Sequence, residues 1–240
     1  DAPVYNSSHL FGFFSVFNPD AVKDVKLFKG GIPSMYGGRA SSILDVKMKE
    51  GNAKKLEVNG GVGVIFSRLS IEAPIVKDKA SFIVAARRSY IDVLAKPFLT
   101  GNNANSKFSF YDLTAKVNYT INQKNTVFMS GYFGRDVFGT GFGFDWGNTT
   151  LTTRWNHVFS NKLFLNATAF YSNYDYMLDS DIENKRPNDA FKWTSNIENL
   201  SIKPDFTYYW RPDNTITFGG QLLTYDFTPG KANATSNGEK

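Results

Sequence analysis

Apolar and polar side chains alternate position by position through most of the chain after about residue 55, which is the period of a strand with two unlike faces. Across residues 111–119, Tyr111, Leu113, Ala115, Val117 and Tyr119 share one face, and Asp112, Thr114, Lys116 and Asn118 the other. The same rule sets Leu163, Leu165, Ala167, Ala169 and Tyr171 against Asn166, Thr168 and Ser172. Further on, Leu200, Ile202, Pro204, Phe206, Tyr208 and Trp210 oppose Ser201, Lys203, Asp205 and Thr207. The pattern predicts about nine strands, near residues 56–64, 66–75, 80–90, 110–121, 126–134, 149–159, 163–174, 194–210 and 215–227.

The connections between these strands are unequal. Short polar turns lie at residues 76–79, 122–125, 160–162 and 211–214, while 94–107, 134–147 and 175–192 are long and rich in Gly, Asn and aromatics. Tight turns at one end of a sheet and long loops at the other describe an outer-membrane barrel better than a soluble sandwich, which is the alternative with its aromatic face turned inward. The eight steps from Tyr111 to Tyr119, at about 3.4 Å each and tilted about 40°, rise roughly 20 Å, close to the roughly 25 Å apolar band of such barrels. Trp155, Phe159, Tyr208 and Trp210 fall near strand ends, where an aromatic girdle belongs. Nine strands with unpaired edges cannot stand alone in lipid, so the expectation is a partial antiparallel transmembrane β-barrel and a chain that is a fragment of a larger protein.

Composition narrows the chemistry. The 240 residues include 22 Phe, 12 Tyr and 20 Gly, no Cys, and 27 Lys and Arg against 22 Asp and Glu, a net charge of +5. Disulfide scaffolds and Cys-ligated metal sites are excluded, and 22 Phe argue against disorder. No apolar run reaches the roughly 18 residues of a transmembrane helix. The basic residues are scattered, which disfavours nucleic acid. Neither His9 nor His157 has metal-ligand spacing, so both read as structural. P-loop and serine-hydrolase motifs are missing, leaving no catalytic residues to assign and no cofactor to expect.

Residues 1–53 break the alternation and read as a separate domain ahead of the strands at 54–240. Asn18-Pro19-Asp20 is a helix entry signal, with Val22, Val25 and Leu27 continuing through a short helix into a strand. Gly30-Gly31 and Gly37-Gly38 permit positive φ or close backbone approach.

The run NPDAVKDVKLFKGGIPSMYGGRASSILDVKMK at residues 18–49 resembles the C-terminal part of the plug of TonB-dependent outer-membrane receptors. DAPVYNSSHLFGFF at residues 1–14 is similar to the form common in Bacteroidetes-type receptors, as are Glu72-Ala73-Pro74 and Arg87-Arg88-Ser89-Tyr90. A departure is Ala2, where a Gly usually follows the Asp. The resemblance implies a 22-stranded barrel closed around the plug, and marks Gly30, Gly31, Tyr36, Gly37, Gly38 and Arg39 as the plug motif. It also implies active import of a scarce or bulky ligand driven by the TonB complex, whose contact segment would precede Asp1. Its further partners would be outer-membrane lipid, an imported ligand and, optionally, a surface lipoprotein. A passive pore or a surface adhesin on a similar barrel is the alternative.

Two sets of residues are candidates for function. A guanidinium can grip carboxylates in bidentate fashion, so Arg39 is a candidate plug-to-barrel tether, with Glu72 as its lumenal partner or a carboxylate outside the chain. In the Gly-rich stretch 134–147, Arg135, Phe138, Phe142, Phe144 and Trp146 form a candidate ligand-facing external loop, able to stack on sugar rings or an aromatic ligand, or simply to pack over the rim. Siderophore, cobalamin, glycan and peptide all stay open as cargo.

Overall fold

The computed structural model describes residues 2–38, 41–98, 100, 106–139, 142–180 and 189–236. Two short strands, β1 (Ser8–His9) and β2 (Phe14–Ser15), pair across a tight turn, and β3 (Val22–Phe28) pairs with β4 (Ile43–Met48). A large antiparallel sheet follows. It contains β5 (Glu57–Val62), β6 (Phe66–Val76), β7 (Ala80–Ser89), β8 (Lys107–Asn122), β9 (Asn125–Gly139), β10 (Gly143–Val158), β11 (Leu163–Asp179), β12 (Asp189–Arg211), β13 (Asn214–Gly219) and β14 (Leu222–Ser236). One short helix, α1 (Ile91–Ala95), lies between β7 and β8.

From β5 to β13 each strand pairs with the next along the chain. β14 also pairs with β12, and in the same register as β13: Asp205 faces Gly219, and three residues along, Ile202 faces Leu222. β13 and β14 are therefore one long strand, interrupted opposite Pro204, which has no N–H to give to the ladder. The sheet thus has the nine strands the alternation predicts.

The distribution of polarity is inverted. One face of the sheet buries Ser70, Arg87, Asp112, Thr114, Asp136, Asn148, Thr168, Ser172, Asn199 and Ser201, while the other exposes Leu69, Leu113, Val117, Met129, Leu151, Leu200 and Ile202. The alternation in the sequence fixes this, because a β-strand places successive side chains on opposite faces. Water does not drive apolar groups outward, so the outer face is built for a lipid environment. Aromatics border it: Tyr111 packs on Phe133 at 6.0 Å toward one end, and Phe206 on Phe218 at 5.1 Å toward the other. No described helix is long and apolar enough to cross a membrane.

Two expectations need correction. Residues 18–21 make a turn rather than a helix: Asp20 N donates to Asn18 Oδ1 at 3.0 Å and Ala21 N to Asn18 O at 3.0 Å, and β3 starts at once. Asn18 spends its side chain on a local turn, and the β-branched alternation from Val22 pairs with β4. The stretch 134–147 is not a loop but a hairpin, because β9 continues to Gly139 and β10 begins at Gly143. A strand of 16 residues such as β10 is about 50 Å long, and tilted about 40° it still exceeds a 25 Å apolar band, so this hairpin stands clear of the membrane. The tight turns do share one end, whereas the other end mixes short connections (63–65, 140–142) with long ones (90–106, 180–188).

Candidate functional site

The N-terminal residues cross the inner face of the sheet, strand after strand. Ser172 Oγ on β11 donates to Pro3 O at 2.6 Å. Tyr5 N donates to Asn148 Oδ1 on β10 at 3.1 Å, Asn148 Nδ2 donates to Asn6 O at 3.1 Å, and Asn199 Nδ2 on β12 donates to Tyr5 OH. Inward-facing polar positions thus supply the partners that this extended segment, lacking a long ladder of its own, would otherwise leave unmade.

His9 is the centre of the arrangement. Its Nδ1 lies 2.6 Å from Asp136 Oδ2 on β9, whose Oδ1 accepts from Leu10 N at 2.7 Å. Its Nε2 lies 3.4 Å from Asp112 Oδ2 on β8 and 3.4 Å from the Tyr132 hydroxyl. Arg87 on β7 donates through Nε to Asp112 at 2.8 Å and through a terminal nitrogen to Ser15 O at 2.8 Å. Phe110 stacks on the imidazole at 4.4 Å, and the whole cluster is closed to water, with His9 1%, Asp112 2%, Asp136 2% and Arg87 5% exposed. Burial alone would lower the His9 pKa, but hydrogen bonds and charge from Asp112 and Asp136 outweigh it, and the pKa is raised above the ordinary imidazole value. A protonated His9 with Arg87 balances the two carboxylates. A neutral one leaves excess negative charge buried, at substantial cost.

Other contacts are fewer and wetter. Asp20 pairs with Arg68 on β6 at 2.7 Å, Lys203 Nζ on β12 donates to Met35 O at 2.8 Å, and Lys116 Nζ on β8 to Met48 O at 3.3 Å. Around β3 and β4 a cavity of about 770 Å³ separates the N-terminal residues from the sheet, reaching Arg154 and Asp205. Among the described residues, a small apolar patch, Ala21 against Ile83 and Ala85, packs as a soluble core does.

The plug-motif residues are placed as follows. Gly31 (φ 58°) and Gly38 (φ 71°) sit in left-handed turns, where a side chain would be strained; Gly30 and Gly37 do not have positive φ. Tyr36 donates to Asp45 Oδ2 at 3.0 Å, and burial together with Asp45 pushes its pKa up to about 12. Arg39 lies outside the described residues. Its expected partner Glu72 stands in β6 directly opposite Glu57 of β5. Among the described residues, Asp20 on the N-terminal side pairs with Arg68 on the sheet.

Of the five expected ligand-facing residues, the hairpin brings the four aromatics together and sets Arg135 apart. Phe138, Phe144 and Trp146 face inward, with Phe11 packed on Phe138 at 5.2 Å and on Trp146 at 5.0 Å. Phe142 lies against Phe138 at 6.1 Å. Arg135 turns outward, pairing with Asp145 and, at 3.0 Å, with Asp175. Sequence reading missed His9, Asp112, Asp136 and Arg87 as a unit, since their only sequence signal is that charged residues recur on the polar faces of adjacent strands.

No protein family and no curated protein matches the sequence. Among solved structures, the chain superposes on the copper transporter OprC with a TM-score of 0.68 at 13% sequence identity. The match covers 94% of this chain and 37% of OprC, so the chain spans well under half of that protein. At this identity the likeness carries the fold alone: the sheet is arranged as part of a β-barrel.

Proposed function

We propose that the chain is part of a TonB-dependent receptor of the bacterial outer membrane, with residues 1–53 as plug and 54–240 as barrel wall, which imports a ligand actively. The observation that carries this reading is the His9 site. The N-terminal residues fill the inside of the barrel, yet they are held mainly by hydrogen bonds and one buried charge cluster instead of an apolar core. Such a closure is firm at rest and can be released when those few polar bonds are exchanged for water, which is what a gated importer requires and a passive pore does not. The fold of OprC supports outer-membrane transport. Its copper cargo belongs to OprC and is not carried over to this chain.

The test is uptake by cells that have or lack the protein, with and without TonB, given separate ferric siderophore, cobalamin, neutral oligosaccharide and peptide supplies. Uptake of one of them that needs the protein, TonB and the proton gradient is the expected result. Uptake indifferent to collapse of the gradient would establish the passive pore, and binding without uptake the adhesin.

A further inference from the structure

The His9 cluster is a latch in two halves, and the half on the wall is built without the other. Arg87 comes from β7, Phe110 and Asp112 from β8, and Tyr132 and Asp136 from β9, three strands laddered here without a bulge: Arg87 lies opposite Asp112, and Phe110 opposite Asp136. Gly134 stands between Tyr132 and Asp136 on the same face, opposite Asp112. A Cβ there would run into the Tyr132 hydroxyl, so this glycine is what lets the phenol lie back along the strand and come within 3.4 Å of His9 Nε2. With His9 in place, the described residues alone shut the pocket from water.

The pocket has the parts of a receptor for a flat cation. Asp136 Oδ2 and Asp112 Oδ2 meet two different nitrogens of one ring, at 2.6 and 3.4 Å, and Phe110 underlies that ring nearly parallel, at 4.4 Å and 13°. Acceptors at two edges over an aromatic face fit imidazolium, amidinium or guanidinium, planar cations with N–H donors along the rim. A metal ion asks instead for ligands that converge on one point at about 2.0–2.6 Å. The guanidinium of Arg87 already stands 5.8 Å from the same Phe110 ring. His9 does not use the whole pocket. Asp112 Oδ1 is buried with no hydrogen-bond partner among the described residues, an acceptor that a cation with one more N–H would satisfy. When His9 leaves, Arg87 faces two carboxylates, and the charge left over calls for a cation in its place.

We propose that this wall pocket is a binding site for a planar organic cation, that His9 is its resident ligand, and that a free cation of this class holds the latch open by taking the place of His9. The free cation enters once the N-terminal segment has lifted away. It therefore shifts the opening equilibrium by the factor 1 + [L]/Kd without needing to pull the segment out. The inference deepens the gated-import reading and rests on it for what opening accomplishes, while the pocket's chemistry stands on the geometry alone.

The experiment follows amide exchange at Tyr5 and Val16 in the full-length protein in lipid vesicles at about pH 6, where free imidazole is mostly protonated. Imidazolium or acetamidinium chloride is added up to about 100 mM, the range in which a ligand of so few atoms saturates, against equal tetramethylammonium chloride, which carries the charge without an N–H. Zinc chloride is the metal comparison. In the native protein both amides should exchange at least about tenfold faster in the planar cations, saturably, with Leu151 of β10 unchanged. In His9→Ala the same cations fill the gap left by the side chain and should slow those amides about tenfold, and adding Asp136→Asn should abolish that slowing. Equal effects of tetramethylammonium and the planar cations, opening by zinc alone, or no change in either protein would overturn the proposal. If His9→Ala does not fold, the native protein decides the matter by itself. Uptake that ignores TonB beside cation-specific opening would sink the import reading and leave the pocket. TonB-driven uptake with no cation effect would do the reverse.

Discussion

Replacing His9 with Ala removes the group on which two buried carboxylates converge. Asp136 keeps only Leu10 N, at 2.7 Å, and Asp112 keeps only Arg87, at 2.8 Å. Loss of a hydrogen bond to a charged group costs about 1.5–3 kcal/mol, and breaking a buried charged pair about 3–5 kcal/mol. Water entering the gap recovers part of this, so about 3 kcal/mol of the local stability of residues 3–16 is the working figure, equivalent to about 100-fold in an opening equilibrium. Amide hydrogen exchange of the lipid-embedded protein reads this directly. Tyr5 N, bonded to Asn148, and Val16 N, bonded to Ser7 O at 3.2 Å, should exchange about 100-fold faster in His9→Ala, while Leu151 in mid-β10 stays unchanged. The pH dependence supplies a sign. The folded pKa of His9 is raised, so its stabilisation is complete below the unperturbed imidazole pKa of about 6.5 and is lost as pH rises through the folded value. After correction for chemical exchange, opening in the native protein should therefore increase upward from about pH 6.5, and His9→Ala should be flat over that range. Unchanged protection at Tyr5 and Val16 in the variant would refute the latch.

Three further outcomes are expected. Gly51 has φ 82°, and a Cβ there would lie 2.3 Å from Phe82 O, so Gly51→Ala forces the crossing onto β7 apart and should lower the urea midpoint by the equivalent of about 1–3 kcal/mol. Leu113→Arg, on the outer face, should cost about 2–4 kcal/mol in vesicle folding titrations, whereas Ala115→Val on the same face should fold normally. Tyr36→Phe loses the bond to Asp45 and should weaken the β3–β4 region by about 1 kcal/mol. In the native protein, ultraviolet titration should find this phenol ionising at about 12 instead of the ordinary phenol value of about 10, so alkali across that interval works against the folded form.

The strands were legible because each has two faces in contact with two different media, and a period of two survives any local irregularity. The last strand, expected at 215–227, is one long strand that runs on to Ser236, and Pro204 interrupts its ladder without changing the register on either side. The hairpin at 134–147 was misread because Gly134, Gly139, Gly143 and Gly147 look like loop residues. In the sheet two of them have their space filled by neighbouring side chains, Gly134 by Tyr132 and Gly147 by Arg135. The latch was illegible for a different reason. His9 and Asp136 are 127 residues apart, and nothing near His9 in the chain distinguishes it from any buried histidine. The expected tether at Arg39 lies outside the described residues, and the described contacts place arginine on the sheet, from which Arg87 reaches Ser15 O and Arg68 reaches Asp20. The helix at Asn18-Pro19-Asp20 failed because the same residues serve equally well in a turn, and only the pairing of β3 with β4 decides between them.

The central claim is an inverted barrel, lipid outside and the N-terminal residues inside, and the four tryptophans of the chain test it. Single-tryptophan variants retaining only Trp155, 40% exposed on the outer face, or only Trp146, 3% exposed on the inner face, are reconstituted with brominated lipid. Strong quenching of Trp155 with Trp146 left bright is the predicted result. Quenching of Trp146 by lipid, or of neither, would mean that the faces are assigned the wrong way round or that the sheet does not sit in a membrane at all.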